Sequence, residues 1–198
     1  MSFKIGTKEI QIIAEVKTES PFGFKSVKNW DELFALACKV GDIISIHTDT
    51  RWGGSFELLA KARAKTNKPL LAKGIHSDDK LIKRAIEYGA DFVLVVGRIP
   101  SDILATKIPS EKLLIEPNSL AELAIIPHNY RVVWNSRDLK NGGLKKETFA
   151  EAREIFSGWL CQASNIRTIV DVHPQADAVL VGSNLEEFEK SFQVEKVS

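Results

Sequence analysis

Ile12-Ile13-Ala14-Glu15-Val16-Lys17 is an apolar run that ends on polar residues, here charged, and the chain repeats the pattern of a polar ending. Leu70-Leu71-Ala72-Lys73, Leu113-Leu114-Ile115-Glu116, Val132-Val133-Trp134-Asn135 and Ala178-Val179-Leu180-Val181-Gly182-Ser183 are built the same way. A parallel strand covered by helices on both faces reads as a continuous apolar run. A charge placed at its end costs free energy unless it is paired or solvated. Several such endings, all at the C-terminal ends of strands where ligands of α/β sheets bind, predict a ring of reactive groups around one pocket.

Working outward from these runs, strand-like segments begin near Ile12, Ile43, Leu70, Phe92, Leu113, Val132, Trp159 and Ala178, eight in all. Helical periodicity lies between several of them: Leu33, Leu36, Ala37 and Val40 fall on one face after Asp31, and Leu81, Ile82, Ala85 and Ile86 precede Gly89. Phe149, Ala152, Ile155 and Phe156 line a further helix opened near Thr148 and closed near Gly158, and Leu185, Phe188 and Phe192 line the last. Alternating strand and helix imply a parallel sheet, and eight βα units closing on themselves make a (β/α)8 TIM barrel. With 198 residues the chain stands at the lower end of that fold, for which about 200 is the floor. A compact barrel with some outer helices shortened is therefore expected, as one domain over residues 1–198. The shortening falls on the fourth, fifth and seventh connections, where Pro100 and Pro109, Pro127, and Pro174 leave little room for helix. A doubly wound open sheet is the competing architecture. It usually carries a glycine-rich phosphate loop after its first strand, whereas Lys17-Thr18-Glu19-Ser20-Pro21-Phe22-Gly23-Phe24 follows here.

Composition narrows the function. The 27 basic and 26 acidic residues give a net charge of +1, which argues against nucleic acid or an anionic membrane surface as partner. The N-terminus opens into polar sequence without an apolar signal segment, and no run approaches a membrane span, so a cytoplasmic protein is expected. Cys38 and Cys161 have no CxxC spacing and read as reduced core cysteines.

Glu15 and Lys17 are two residues apart, so their side chains share a face. Facing the helix layer they would lie unpaired in apolar packing, which favours the barrel lumen; a structural ion pair there is the alternative to a catalytic role. Lys73 and Glu116 end non-adjacent strands that can meet over the barrel mouth, and a lysine facing a glutamate suits proton donation and removal. Asn135 adds an uncharged donor and acceptor. Phosphate capture is expected after the last two strands, at Ala163-Ser164-Asn165 and Gly182-Ser183-Asn184, although Ser183 is equally a helix N-cap. His47, His76, His128 and His173 show no metal-ligand spacing, and surface or capping roles are expected for them. Arg51-Trp52-Gly53-Gly54-Ser55 reads as a flexible aromatic lid or as a plain turn with Ser55 as N-cap.

Three stretches carry a family resemblance: Ile13-Ala14-Glu15-Val16-Lys17 with Ser20-Pro21, Ser45-Ile46-His47-Thr48-Asp49 followed by Gly53-Gly54-Ser55, and Asn135-Ser136-Arg137-Asp138-Leu139. In order and spacing, along nearly the whole chain, they resemble the indole-3-glycerol phosphate synthases of tryptophan biosynthesis. The resemblance implies closure of a pyrrole ring on 1-(2-carboxyphenylamino)-1-deoxyribulose 5-phosphate with loss of carbon dioxide and water, without metal or cofactor. By motif, Lys73 resembles the general acid at the substrate carbonyl and Glu116 the acid/base group that assists dehydration. Lys17 resembles the lysine near the substrate carboxylate and a later proton donor. Glu15 and Asn135 would orient these groups, Arg137 would brace the pocket, and Ser20, Gly182 and Ser183 resemble phosphate ligands, with Ser164 kept beside them and Asn165 in the same loop. The implied partner is a small phosphorylated substrate, with the protein a monomer or weak homo-oligomer; a tryptophan-pathway partner stays open.

Departures from the family pattern are equally specific. Lys73-Gly74-Ile75 stands where the family usually has Lys-Asp-Phe, and Ala163-Ser164-Asn165 where it has Glu-Ser-Gly. The helical segment that usually precedes the first strand has no counterpart in the sequence. Two alternatives therefore remain: a related phosphate-binding barrel enzyme with a changed substrate, and a non-catalytic pathway subunit.

Overall fold

The computed structural model describes residues 2–101, 104 and 107–195. Nine strands form one continuous order, β1 (Phe3–Ile5), β2 (Lys8–Val16), β3 (Ile43–His47), β4 (Leu70–Lys73), β5 (Phe92–Val96), β6 (Leu113–Glu116), β7 (Arg131–Asn135), β8 (Leu160–Ala163) and β9 (Ala178–Val181). From β2 to β9 every neighbouring pair is parallel, and β2 also pairs with β9, Ile13 opposite Leu180 and Ala14 opposite Val181. The sheet is a closed eight-stranded barrel, the (β/α)8 TIM fold. All eight barrel strands fall where the apolar runs place them. What the runs do not reveal is β1, a three-residue antiparallel partner to the start of β2 that docks Phe3 edge-on against Phe188 and Phe192.

The helices described are α1 (Trp30–Val40), α2 (Phe56–Lys65), α3 (Asp79–Glu87), α4 (Leu120–Ala124), α5 (Phe149–Ile155) and α6 (Leu185–Glu195). Their starts follow from polar caps: Asn29, Ser55, Asp78, Ser119 and Thr148 each accept a backbone N–H from the first turn. Asn29 and Thr148 also form capping boxes with Glu32 and Glu151. The proline-limited connections are short as expected. α4 spans five residues, and a single 3-10 turn, Ile169–Asp171, stands between β8 and β9. The fourth connection lies partly outside the described residues. None of the helices is long and apolar enough to cross a membrane among the described residues.

Alternation along the strands sorts the core into two. Ile13, Ile43, Leu71, Leu94, Leu114, Val133, Cys161 and Leu180 fill the lumen, while Ile12, Ile44, Leu70, Val93, Leu113, Val132, Leu160 and Val179 pack outward against the helices. The strand-ending residues Glu15, His47, Lys73, Glu116 and Asn135 share parity with the luminal set, so they form the next layer toward the C-terminal mouth.

An aspartate repeats just ahead of three strands. Asp42, Asp91 and Asp177 each accept the backbone N–H of a neighbouring strand residue, Ile12, Leu70 and Leu160, at 2.8–2.9 Å, and each returns its own N–H to that residue's carbonyl. Two of them also hold an arginine from the helix ahead of the partner strand: Arg63 bonds Asp91 at 2.9 Å and the Lys68 carbonyl at 3.0 Å, and Arg153 bonds Asp177 at 3.1 Å and the Gly158 carbonyl at 2.7 Å. Helix end, loop and strand register are thereby fixed together at the end of the barrel opposite the charged layer. Asp177→Ala takes one partner from the Arg153 guanidinium and leaves the Leu160 N–H without an acceptor, so urea unfolding is expected to show a loss of about 1–3 kcal/mol. A loss under about 0.5 kcal/mol, the range of neutral surface substitutions, would contradict this role.

Candidate active site

A cavity of about 330 Å³ opens at the C-terminal mouth of the barrel. Every residue singled out from the sequence lines it: Glu15, Lys17 and Ser20 from the end of β2 and its loop, Lys73 from β4, and Glu116 from β6. Asn135 ends β7 and Arg137 follows it in the loop, Ser164 and Asn165 come from the loop after β8, and Gly182 and Ser183 from the loop after β9. Glu15 and Lys17 thus face the lumen side, as the cost of unpaired charge in the helix layer requires.

The site divides into two carboxylates with different surroundings. Glu15, 4% exposed, receives Lys73 Nζ on Oε1 at 2.8 Å, and His47 Nε2 meets the same oxygen. Burial alone pushes this carboxyl up, but the Lys73 ammonium, the His47 hydrogen bond and Lys17 outweigh it and hold Glu15 well below the ordinary carboxylate range. Glu116, 3% exposed, has a neutral partner instead: Asn135 Nδ2 donates to its Oε1 at 2.9 Å. Burial therefore wins and raises the Glu116 carboxyl, against the pull of Lys73 and the Asn135 bond. Burial also lowers the Lys17 ammonium, whose Nζ stands 5.3 Å over the Phe24 ring, with Glu15 opposing.

Asn135 is the hub of the second half. Its Oδ1 accepts the Ser164 hydroxyl at 2.7 Å and the Arg137 backbone N–H at 3.0 Å while its amide holds Glu116. Arg137 donates from its guanidinium to the Gly142 carbonyl at 2.6 Å and lies 6.0 Å over Phe22, so it ties the loop after β7 to itself and to the loop after β2. Ser164 and Asn165 both adopt left-handed backbone, φ 71° and 57°, and Asn165 stands where the family pattern places glycine. Asn184 Nδ2 bonds the Ile166 carbonyl at 3.1 Å and ties the two proposed phosphate loops together. Ser20 Oγ accepts the N–H groups of Phe22 and Phe24 at 3.3 and 3.4 Å, folding the loop after β2 over the cavity.

Gly182 has a second demand on it. A Cβ there would stand 1.9 Å from Glu15 Oε2, so the absence of a side chain makes room for the carboxylate as well as for any phosphate.

Two expectations need correction. His47 and His76 are neither surface nor capping residues: they are 4% and 1% exposed, and His76 bridges the Leu94 carbonyl and Thr48 Oγ1. Metal-ligand spacing was the wrong criterion; Ile43-Ile44-Ser45-Ile46-His47 is another apolar run that ends on a polar residue. The segment after β3 is no lid. Thr50–Trp52 is a 3-10 turn, Trp52 is buried with its ring against His47 and Phe22, and Ser55 caps α2. Ser183 is exposed, with its loop joined to α6 through the Leu185 N–H on the Gly182 carbonyl at 2.9 Å. Among the described residues, no group of three or more His, Cys, Asp or Glu side chains is placed to hold a metal ion.

The split environments have opposite consequences for stability. A carboxyl depressed on folding stabilises the protein above its unfolded pKa and loses that contribution as pH falls through the folded value. Glu15→Gln is accordingly expected to lower the urea midpoint at neutral pH, with the difference shrinking toward acid. A carboxyl raised on folding costs stability once pH exceeds the ordinary glutamate range. Glu116→Gln is expected to raise the midpoint at neutral pH, with the gain vanishing at low pH, and equal midpoints for the two variants at neutral pH would contradict the division.

Comparison with known proteins agrees with the geometry. The chain is 28% identical to the indole-3-glycerol phosphate synthase of Picrophilus torridus, over 93% of this chain and 79% of that one. It is 29% identical to that of Staphylococcus aureus, over 96% and 82%, and 30% identical to that of Kineococcus radiotolerans, over 89% and 71%. Among solved structures, the phosphoribosyl anthranilate isomerase of Thermotoga maritima superposes with a TM-score of 0.63 at 14% identity, covering 93% of this chain and 99% of that one, a likeness of fold. The family model for indole-3-glycerol phosphate synthase matches residues 2–196. With its barrel, its ring of strand-end charges and a match spanning nearly every residue, the chain belongs to the indole-3-glycerol phosphate synthase family of lyase-type enzymes.

Proposed function

We propose that the protein is a carboxy-lyase that converts 1-(2-carboxyphenylamino)-1-deoxyribulose 5-phosphate to indole-3-glycerol phosphate in tryptophan biosynthesis. The observation that carries this is the pair of proton-transfer groups, Lys73 and Glu116, facing one cavity from β4 and β6 with different electrostatic surroundings. Ring closure joins the carboxylate-bearing carbon of the aromatic ring to the ketone carbon, and the ketone oxygen must take a proton as the bond forms. Lys73, hydrogen-bonded to an ionised Glu15, supplies that proton. Loss of carbon dioxide returns the electron pair of the broken C–C bond to the ring. Dehydration then needs a proton on the departing hydroxyl and a base for a carbon-bound proton. Lys17 is the donor, with its ammonium weakened by burial, and Glu116 is the base, its carboxyl raised by burial against the pull of Lys73 and of the Asn135 hydrogen bond. Asn135 orients Glu116, and Arg137 braces the surrounding loop. The phosphate sits at Gly182, Ser183, Ser164 and Asn165, with Ser20 above it; a phosphate at the start of the last helix is a recurring use of barrel geometry.

One feature favours a changed substrate as the alternative. Ala163 is buried in register with Leu180 where the family pattern has a carboxylate, so β8 ends without a charge. Tight phosphate-ester binding without turnover of the indole precursor would support that alternative.

Purified protein given the carboxyphenylamino-deoxyribulose phosphate is expected to form a product with indole fluorescence, and Lys73→Ala to abolish it. No product above the Lys73→Ala control would overturn the proposal. Because Glu116 must be ionised to act as base, the acidic limb of kcat/KM is expected above the ordinary glutamate pKa of about 4.3. A profile flat down to that value would remove Glu116 from the role.

A further inference from the structure

His47 is the buried ionisable group at the mouth that the proposed reaction leaves without a task. It ends β3, directly opposite Lys73 in the β3–β4 register, and it lines the cavity. Nε2 meets Glu15 Oε1, the same oxygen that receives Lys73 Nζ at 2.8 Å. The ring lies parallel to that of Trp52, centroids 5.8 Å apart and planes 2° from parallel, and Trp52 in turn meets Phe22 edge-on. Nδ1 is buried and has no hydrogen-bond partner among the described residues.

These contacts fix the tautomer. An ionised carboxylate only accepts, so the hydrogen between the two groups belongs to His47 Nε2, and Nδ1 carries a bare lone pair. Protonating Nδ1 would bury an N–H without an acceptor and add a third cation beside Lys73 and Lys17. The charged groups facing the imidazole are Glu15 and Lys17 at the end of β2, Lys73 on β4 and Asp49 two residues further along its own segment. Burial, with the two lysines, outweighs Glu15 and depresses the His47 pKa, in keeping with a neutral ring.

We propose that His47 is a positioning residue for Lys73, a permanent neutral donor that shares Glu15 Oε1 so that the carboxylate never depends on the lysine alone. The proposal rests on the activity proposed above. In the ring-closing step an N–H bond of Lys73 breaks, an O–H bond forms at the substrate oxygen, and Lys73 is left as a neutral amine. At that moment Glu15 loses its counter-charge while remaining buried. The His47 N–H still satisfies it, so the carboxylate is not forced to reclaim a proton, and His47 itself neither gains nor loses one. Before the step, the second donor keeps Lys73 from being drawn wholly onto Glu15 and away from the substrate carbonyl.

The test uses His47→Leu, which removes the donor, and His47→Gln, whose Nε2 can reach the same oxygen but cannot titrate. With the carboxyphenylamino-deoxyribulose phosphate as substrate, His47→Leu is expected to lose kcat by on the order of tenfold to a hundredfold, the scale of a misplaced catalytic group, with KM little changed. His47→Gln is expected to regain most of kcat, and nitrogen NMR of the unsubstituted protein to show the neutral Nε2–H form across the active pH range. The proposal is overturned by a His47→Leu enzyme with unchanged kcat, by His47→Gln performing no better than His47→Leu, or by an imidazolium or Nδ1–H form in the spectrum. Should the unsubstituted protein turn over no substrate, the proposed activity and the positioning role fall together, while the contact with Glu15 stands or falls on the spectrum.

Discussion

One oxygen organises the mouth of this barrel. Glu15 Oε1 is buried and bound by both Lys73 and His47, and its sister oxygen presses against Gly182. A buried carboxylate is tolerated only when it is paired and hydrogen-bonded. Its partners here come from β3 and β4, and the space it needs comes from the residue after β9. The ion pair can form only if β2, β3 and β4 hold their parallel register and β9 closes onto β2. Closure of the fold and assembly of the site are thus one constraint, and the aspartate bonds at the opposite end of the barrel enforce it by locking strand starts in pairs.

The other half of the mouth solves a different problem. Glu116 is as buried as Glu15, yet its direct partner is an amide, itself engaged by Ser164 and the Arg137 N–H. Orientation is supplied without compensating charge. The left-handed Ser164 and Asn165 belong to this design, because the hydroxyl that fixes Asn135 comes from a backbone conformation that non-glycine residues rarely adopt. Two carboxyls at similar depth end up shifted in opposite directions, because direct cationic contact overcomes burial at Glu15 while burial prevails at Glu116, whose direct partner is an amide.

Much of this was legible in the sequence, and for a physical reason. Buried parallel strands write themselves as apolar runs, and a polar residue at the end of such a run stands out because its cost demands a use. That rule located Glu15, Lys73, Glu116 and Asn135 before any geometry. It would have located His47 too, had the histidine been judged by its place at the end of β3. Other features leave no such trace. β1 is three residues within polar sequence, and its apolar side chains matter only because α6 presents Phe188 and Phe192 to them. Asp42, Asp91 and Asp177 look like loop residues, since their partners lie 17 to 30 positions away. The Trp52 segment carries glycines that suggest freedom, whereas Trp52 is pinned by rings from β3 and from the loop after β2.

The division between the two carboxyls is tested most directly by titrating them individually. Carbon NMR of the side-chain carboxyls, followed across pH in protein carrying labelled glutamate and assigned with Glu15→Gln and Glu116→Gln, reads both groups in one experiment. Glu15 should titrate well below the ordinary glutamate range and Glu116 above it. Two ordinary titrations, or the reverse order, would contradict the account.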